Sequence, residues 1–255
     1  MKIKRLNWVP NALSLGNLTF GFVSMLVSAE AAQQGNDSAK FILAGIFILI
    51  AAVFDGFDGI VARALDATSD LGAELDTLAD LTTFGIAPGV LMYEMLLYQY
   101  KYSIPGFEQQ FPYGMMLAAV FPICAAYRLA RFSVDHDPGS FTGLPSPIAG
   151  VLVALFPIAF HQIHITPYLV MPAFVCIALL MVSTIRYSKP QVAMRGRFSR
   201  GKIIMLFVGL AIVFYLSGLK RVPLVLYGII AFYVFSGIVS FVIHMIQEFG
   251  QERNG

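Results

Sequence analysis

Asp55-Gly56-Phe57-Asp58-Gly59-Ile60-Val61-Ala62-Arg63 follows directly on Phe41–Phe54, a run with no charged residue. Eight residues later comes Gly72-Ala73-Glu74-Leu75-Asp76-Thr77-Leu78-Ala79-Asp80. Asp55 and Asp58 are three apart and Asp76 and Asp80 four apart, so on helices each pair occupies one face. Two such faces turned toward each other make a cage of four carboxylates. In apolar surroundings such a cage cannot stay ionised without cations. An uncharged helix that ends in acids therefore reads as a membrane helix carrying a site at its end.

The rest of the chain supports that reading. Of 255 residues, 58% are hydrophobic and 13% charged, about half the charge of an ordinary soluble domain. Leu6–Ala29, Pro138–Ile185 and Val222–Gln247 carry no charge. About 20 helical residues cross a hydrocarbon core, and only helices satisfy their own backbone in lipid at these lengths. The first apolar run lacks a small-residue cleavage pattern and reads as a retained span. Cys124 and Cys176 lie inside apolar runs and read as small buried hydrophobes. The net charge of +2 says little by itself, and no nucleic-acid partner is expected.

The pattern predicts an all-α, polytopic membrane bundle, a single domain over residues 1–255, with about eight spans. These are expected near 9–29, 40–63, 70–98, 112–133, 146–164, 167–186, 202–218 and 222–246. With eight spans both termini share a side, and thirteen of the seventeen Lys and Arg residues fall on it. Lys40, Lys101, Lys220 and Arg221 are the four on the other side. The positive-inside rule then puts both termini and the aspartate motif at the cytoplasmic face. The basic loop Arg186–Lys202 reads as topology plus attraction to anionic headgroups.

Oxygen-only ligands select hard cations, so Mg²⁺ or Mn²⁺ is expected, with Ca²⁺ admitted. Two such ions in one carboxylate cluster would clamp a pyrophosphate. Buried acids also mark ion pathways, which leaves a divalent-cation transporter as a reading from another class. The position at helix ends argues against it, since transport sites lie near the midplane. Gly56 reads either as a point of close helix approach or as part of the site. Gly59 and Gly72 leave bare backbone where a phosphate could sit. Arg63 could pair with a phosphate or with Glu74, or simply flank the span.

Asp55-xx-Asp58-Gly59-xx-Ala62-Arg63, eight residues, Gly72-xxx-Asp76-xxx-Asp80 resembles the complete signature of the CDP-alcohol phosphotransferases. The resemblance implies an integral membrane enzyme that moves a substituted phosphate from a CDP-linked donor to an alcohol and releases CMP. It implies that Asp55, Asp58 and Asp76 ligate two divalent cations with Asp80 near them. Asp80 would be the general base on the acceptor hydroxyl or would share in metal binding. Asn17, Gly59, Ala62 and Gly72 would face the CDP moiety, and Arg63 would pair with a phosphate. A homodimer is implied as well.

Further stretches resemble the phosphatidylserine synthase branch of that family: Pro10-Asn11 ahead of Ser14 and Asn17, Thr83-Phe84-Gly85, Tyr127-Arg128-Leu129-Ala130-Arg131-Phe132 and Gly143-Leu144-Pro145-Ser146-Pro147. That branch implies CDP-diacylglycerol as donor, L-serine as acceptor and a place among membrane lipids. Glycerol phosphate or an inositol phosphate is the alternative acceptor. Arg128 and Arg131, three apart, share a face that suits a carboxylate or a phosphate, though positive-inside charge alone would also account for them. Thr82 and Thr83 either face the acceptor or bond within their own helix. Ser146 reads as a helix cap or as a contact to the acceptor.

The orientation is testable directly. A reporter fused after Gly255 that matures only in the cytoplasm is expected to be active, and one inserted near Lys101 inactive. The reverse pattern removes the cytoplasmic assignment.

Overall fold

The computed structural model describes residues 8–65, 67, 69–103, 110–134, 141–161, 166–187 and 221–252. Among them the chain is nearly all helix. The first two helices are α1 (Trp8–Gln33) and α2 (Ser38–Ala64). Next come α3 (Asp70–Asp80), a π turn at Leu81–Ile86 and α4 (Ala87–Met95). The remaining helices are α5 (Tyr113–Val134), α6 (Ser146–Phe160), α7 (Pro167–Val182) and α8 (Val222–Glu252). Two small antiparallel pairs close loops: β1 (Tyr102–Ser103) with β2 (Gln110–Phe111), and β3 (Phe141–Thr142) with β4 (Arg186–Tyr187).

The helices turn small and polar side chains inward. On α1 the buried stripe is Pro10, Ser14, Asn17, Gly21, Ser24, Ser28 and Ala31, at spacings of three and four. Leu15, Phe22 and Leu26 on the same helix are exposed. That arrangement suits lipid, where association rests on close backbone approach and interhelical hydrogen bonds. Ser24 Oγ donates to the Ala44 carbonyl on α2 at 2.9 Å. At Gly45 a Cβ would stand 2.4 Å from the Ala154 carbonyl oxygen, so only glycine lets α2 meet α6. At Gly21 it would stand 2.3 Å from Thr83 Oγ1, which fixes the crossing of α1 over the π turn. Larger apolar side chains fill two cores. One lies between α1, α2 and α4 around Ile48, Phe84 and Leu91; the other joins α5 to α7, where Phe121 and Phe174 stack at 4.9 Å.

Among the described residues four helices are long and apolar enough to cross a bilayer: Trp8–Gln33, Ser38–Ala64, Tyr113–Val134 and the Val222–Val239 part of α8. Ser146–Phe160 and Tyr168–Val182 are shorter apolar helices. With these helices the chain is a membrane protein. The span expected at 202–218 and the basic loop beyond Tyr187 lie outside the described residues. The expected helix at 70–98 is not one regular helix. It is interrupted by the π turn, where the Ala87 N–H reaches back to the Thr82 carbonyl, and its last turn is a 3₁₀ segment at Leu97–Gln99. One residue inserted after Asp80 rotates α4 relative to α3, as π bulges do. The acids of α3 can therefore face α2 while Leu91 and Met92 of α4 are buried in the cores. The expected helix at 167–186 stops at Val182, because the chain then pairs with the loop after α5: Gly143 N–H donates to Ile185 O at 2.8 Å and Leu144 N–H to Leu180 O at 2.9 Å.

Gly45→Val is expected to destabilise the bundle by about 1–3 kcal/mol, the usual cost of overpacking, seen as a lower thermal midpoint in detergent. Gly56→Ala, where nothing lies within 4 Å of an added Cβ, should leave that midpoint unchanged or raise it.

Candidate active site

Local signals set the two acid-bearing helices. Asp37 caps α2, accepting from the Ala39 N–H at 2.9 Å. Ser69 caps α3, accepting from the Gly72 N–H at 3.1 Å, and Asp70 places negative charge in the first turn. The short link between Ala64 and Asp70 closes with Leu65 N–H to Val61 O and Ala67 N–H to Ala62 O. So the end of α2 and the start of α3 lie side by side, and their acids meet.

One carboxylate oxygen from each of Asp55, Asp76 and Asp80 lies within 4.8 Å of the others. Asp55 is in contact with Asp80, and Asp58 with Asp76, across the α2–α3 interface. Helix α1 holds the cluster from the other side. Ser14 Oγ donates to Asp58 Oδ2 at 3.1 Å and also reaches the Pro10 carbonyl at 3.2 Å. Asn17 Nδ2 approaches Asp80 Oδ1 at 3.5 Å. Among the described residues no Lys or Arg forms an ion pair with any of the four acids; the one ion pair there joins Lys40 to Glu30.

The donor set fits divalent cations. Four carboxylates converge without a positive partner, and Asp76 Oδ1 is buried with no hydrogen-bond partner among the described residues. An orphaned buried acceptor is costly, and a cation satisfies it. All available ligands are oxygen, as hard cations such as Mg²⁺, Mn²⁺ and Ca²⁺ require.

An open cleft of about 160 Å³ lies beside the acids, lined by Asp58, Asp76, Ser14, Gly59, Ala62 and Gly72 among others. At Gly72 a Cβ would stand 3.0 Å from Asn11 Oδ1, so a larger residue would press on that side chain. Arg63 is exposed at the end of α2, its guanidinium about one van der Waals contact from the bare face of Gly59, and among the described residues it makes no ion pair with Glu74. Gly56 is exposed, and among the described residues no helix closes on it.

Other candidates are distributed differently. Thr82 bonds within its helix, to Leu78 O at 2.9 Å. Thr83 is fully buried and donates to the Asn17 carbonyl at 3.0 Å, so its hydroxyl braces α1. Asn17 meets Asp80 and is not among the cleft-lining side chains. Ser146 is not a cap: the capping position is Pro145, and Ser146 Oγ instead accepts from Arg128 Nη1 at 2.9 Å. Arg128 is buried within electrostatic reach of Asp80, and Arg131 is half-buried. Asn11 and Ser14 at the cleft, and Ser69 with them, were not singled out as ligand contacts from sequence. The periodicity Pro10, Ser14, Asn17, Gly21 was the available signal, an inward polar face on an otherwise apolar helix.

The chain is 34% identical over 194 residues to a CDP-diacylglycerol–serine O-phosphatidyltransferase of Helicobacter pylori, covering 73% of this chain and 74% of that one. It is 30% identical over 183 residues to the Bacillus subtilis protein of the same name, covering 71% and 90%. With the archaetidylserine synthase of Methanothermobacter thermautotrophicus the identity is 28% over 184 residues, covering 71% and 70%. Residues 7–184, a stretch that takes in all four acids, the cleft and the Arg128–Ser146 pair, match the CDP-alcohol phosphatidyltransferase family, and the chain belongs to it.

Proposed function

We propose that the protein transfers the phosphatidyl group of CDP-diacylglycerol to the hydroxyl of L-serine, giving phosphatidylserine and CMP. The observation that carries this reading is the acid cluster, with an open cleft on one side and the buried Arg128 on the other. The cleft suits a nucleotide diphosphate, and the arginine side suits an acceptor with an anionic group. The names of the three relatives have serine in common and differ in the lipid part, which supports serine as the acceptor. Family membership weighs against the transporter reading.

Asp55, Asp58, Asp76 and Asp80 would hold two divalent cations, Mg²⁺ or Mn²⁺, which neutralise the pyrophosphate and stabilise CMP as it leaves. The remaining work falls to the chain's own groups. Gly59, Ala62 and Gly72 leave room for the CDP moiety, and Arg63 pairs with a phosphate at the rim. Asp80 takes the proton of the serine hydroxyl, which is a poor nucleophile at neutral pH. The hydroxyl oxygen bonds to the phosphorus that bears the diacylglycerol, and the bond from that phosphorus to the bridging oxygen breaks. The bridging oxygen leaves with CMP. Asn17 holds Asp80 in place through its amide. Arg128 and Arg131 bind the serine carboxylate. The site faces the cytoplasm, the diacyl tails enter from that leaflet, and the enzyme works as a homodimer.

Asp76→Asn is expected to lower CMP release by roughly a thousandfold, the upper range for loss of one strong electrostatic contact, while the thermal midpoint holds and Mn²⁺ binding weakens. Retained turnover removes Asp76 from the site. EDTA should stop CMP release and added Mn²⁺ or Mg²⁺ restore it; turnover that persists through chelation ends the two-cation reading. Arg131→Ala is expected to raise the KM for serine about tenfold, in line with a lost charge-assisted hydrogen bond, and to change the KM for CDP-diacylglycerol less. An unchanged serine KM reassigns that arginine.

A further inference from the structure

Arg128 is 8% exposed, and its Nε is buried without a hydrogen-bond partner among the described residues. Its guanidinium meets Ser146 Oγ, at 2.9 Å from Nη1. A neutral hydroxyl does not compensate a buried guanidinium, which calls for an anion. Asp80 is within electrostatic reach, but it makes no ion pair with Arg128 and sits in the acid cluster. Among the described residues no anion pairs with Arg128, and an anionic group from outside the protein would supply the partner.

Ser146 is well placed to aim that guanidinium. It is fully buried on the first turn of α6, between Pro145 and Pro147. The turn before it is fixed as well. Gly143 has φ 85°, and the Gly143 and Leu144 amides are bonded to Ile185 and Leu180. At Gly143 a Cβ would stand 2.3 Å from the Met181 carbonyl, so the turn is packed tightly on α7. The start of α6 has no side-chain cap, so its positive end adds to the attraction for an anion. With Nη1 held by Ser146 and Nε unpartnered among the described residues, the edge made by Nε and Nη2 can offer two parallel hydrogen bonds, as a carboxylate or phosphate requires.

We propose that Ser146 is a positioning residue for acceptor specificity: it fixes the Arg128 guanidinium so that its open edge binds the anionic group of the acceptor. This rests on the acceptor reading above, but it needs only that the acceptor be anionic. A carboxylate and a phosphate present the same chemistry to that edge, and the acceptor used in the assay separates them.

The experiment measures CMP release by the purified full-length protein with CDP-diacylglycerol and L-serine. If the wild-type protein does not turn over serine, the serine reading falls. Glycerol 3-phosphate or inositol 1-phosphate then replaces serine in the same test of Ser146, and turnover only with a neutral alcohol overturns the proposal. Ser146→Ala is expected to raise the acceptor KM about tenfold and leave the CDP-diacylglycerol KM within about twofold. Preference for serine over serinol, which lacks the carboxylate, should collapse. A double-mutant cycle separates positioning from mere packing. In Arg128→Lys, which lacks the forked geometry, the added Ser146→Ala change should raise the acceptor KM no further. Should Ser146→Ala not accumulate folded, Ser146→Cys, nearly isosteric and a weak acceptor, replaces it in the cycle. Additive effects in the cycle, equal shifts in both KM values, or an unchanged acceptor KM each overturn the proposal.

Discussion

Four carboxylates brought together in apolar surroundings repel one another, and no protein cation pairs with them among the described residues. Much of the described structure is arranged to hold that unfavourable cluster. The cost of gathering like charges in a low-dielectric setting is large, so the neighbouring helices must hold the cluster firmly, and its oxygens could take up divalent cations. Helix α1 supplies the nearest restraint, with Ser14 on Asp58 and Asn17 on Asp80. The Asn17 carbonyl is in turn braced by Thr83 from the π turn.

The same constraint explains the inverted distribution of side chains. On α1 bulky apolar groups such as Leu15 and Phe22 face outward, while serine, asparagine, glycine and alanine face inward. In water a core of that kind would be weak. In a bilayer the outward groups lose nothing, and the inward ones let backbones approach closely enough to hold carboxylates in register. The π turn serves the register too. It separates the face α3 offers to the acids from the face α4 offers to the core, without breaking the run of helix.

The open cleft and the buried arginine border different members of the acid cluster. The cleft is bordered by Asp58 and Asp76 and by bare backbone at Gly59 and Gly72. On the side of Asp80 lies an arginine that is buried and incompletely partnered.

The sequence alone determined the helical class, most helix positions within a few residues, and the four acids as one site. Charge-free runs and i, i+3 and i, i+4 spacing are local signals, and lipid leaves the backbone no alternative to the helix. The tertiary structure decided what depends on neighbours distant in the chain. It put Ser146 on Arg128 and not on its own helix end, and it turned the Thr83 hydroxyl to α1 and not to a substrate. It ended α7 early, against the loop after α5, and set a π turn directly after Asp80. Each of these depends on where another helix crosses. A hydroxyl at a given position bonds to whichever group the crossing brings within 3 Å, and residue spacing along one segment carries no record of that.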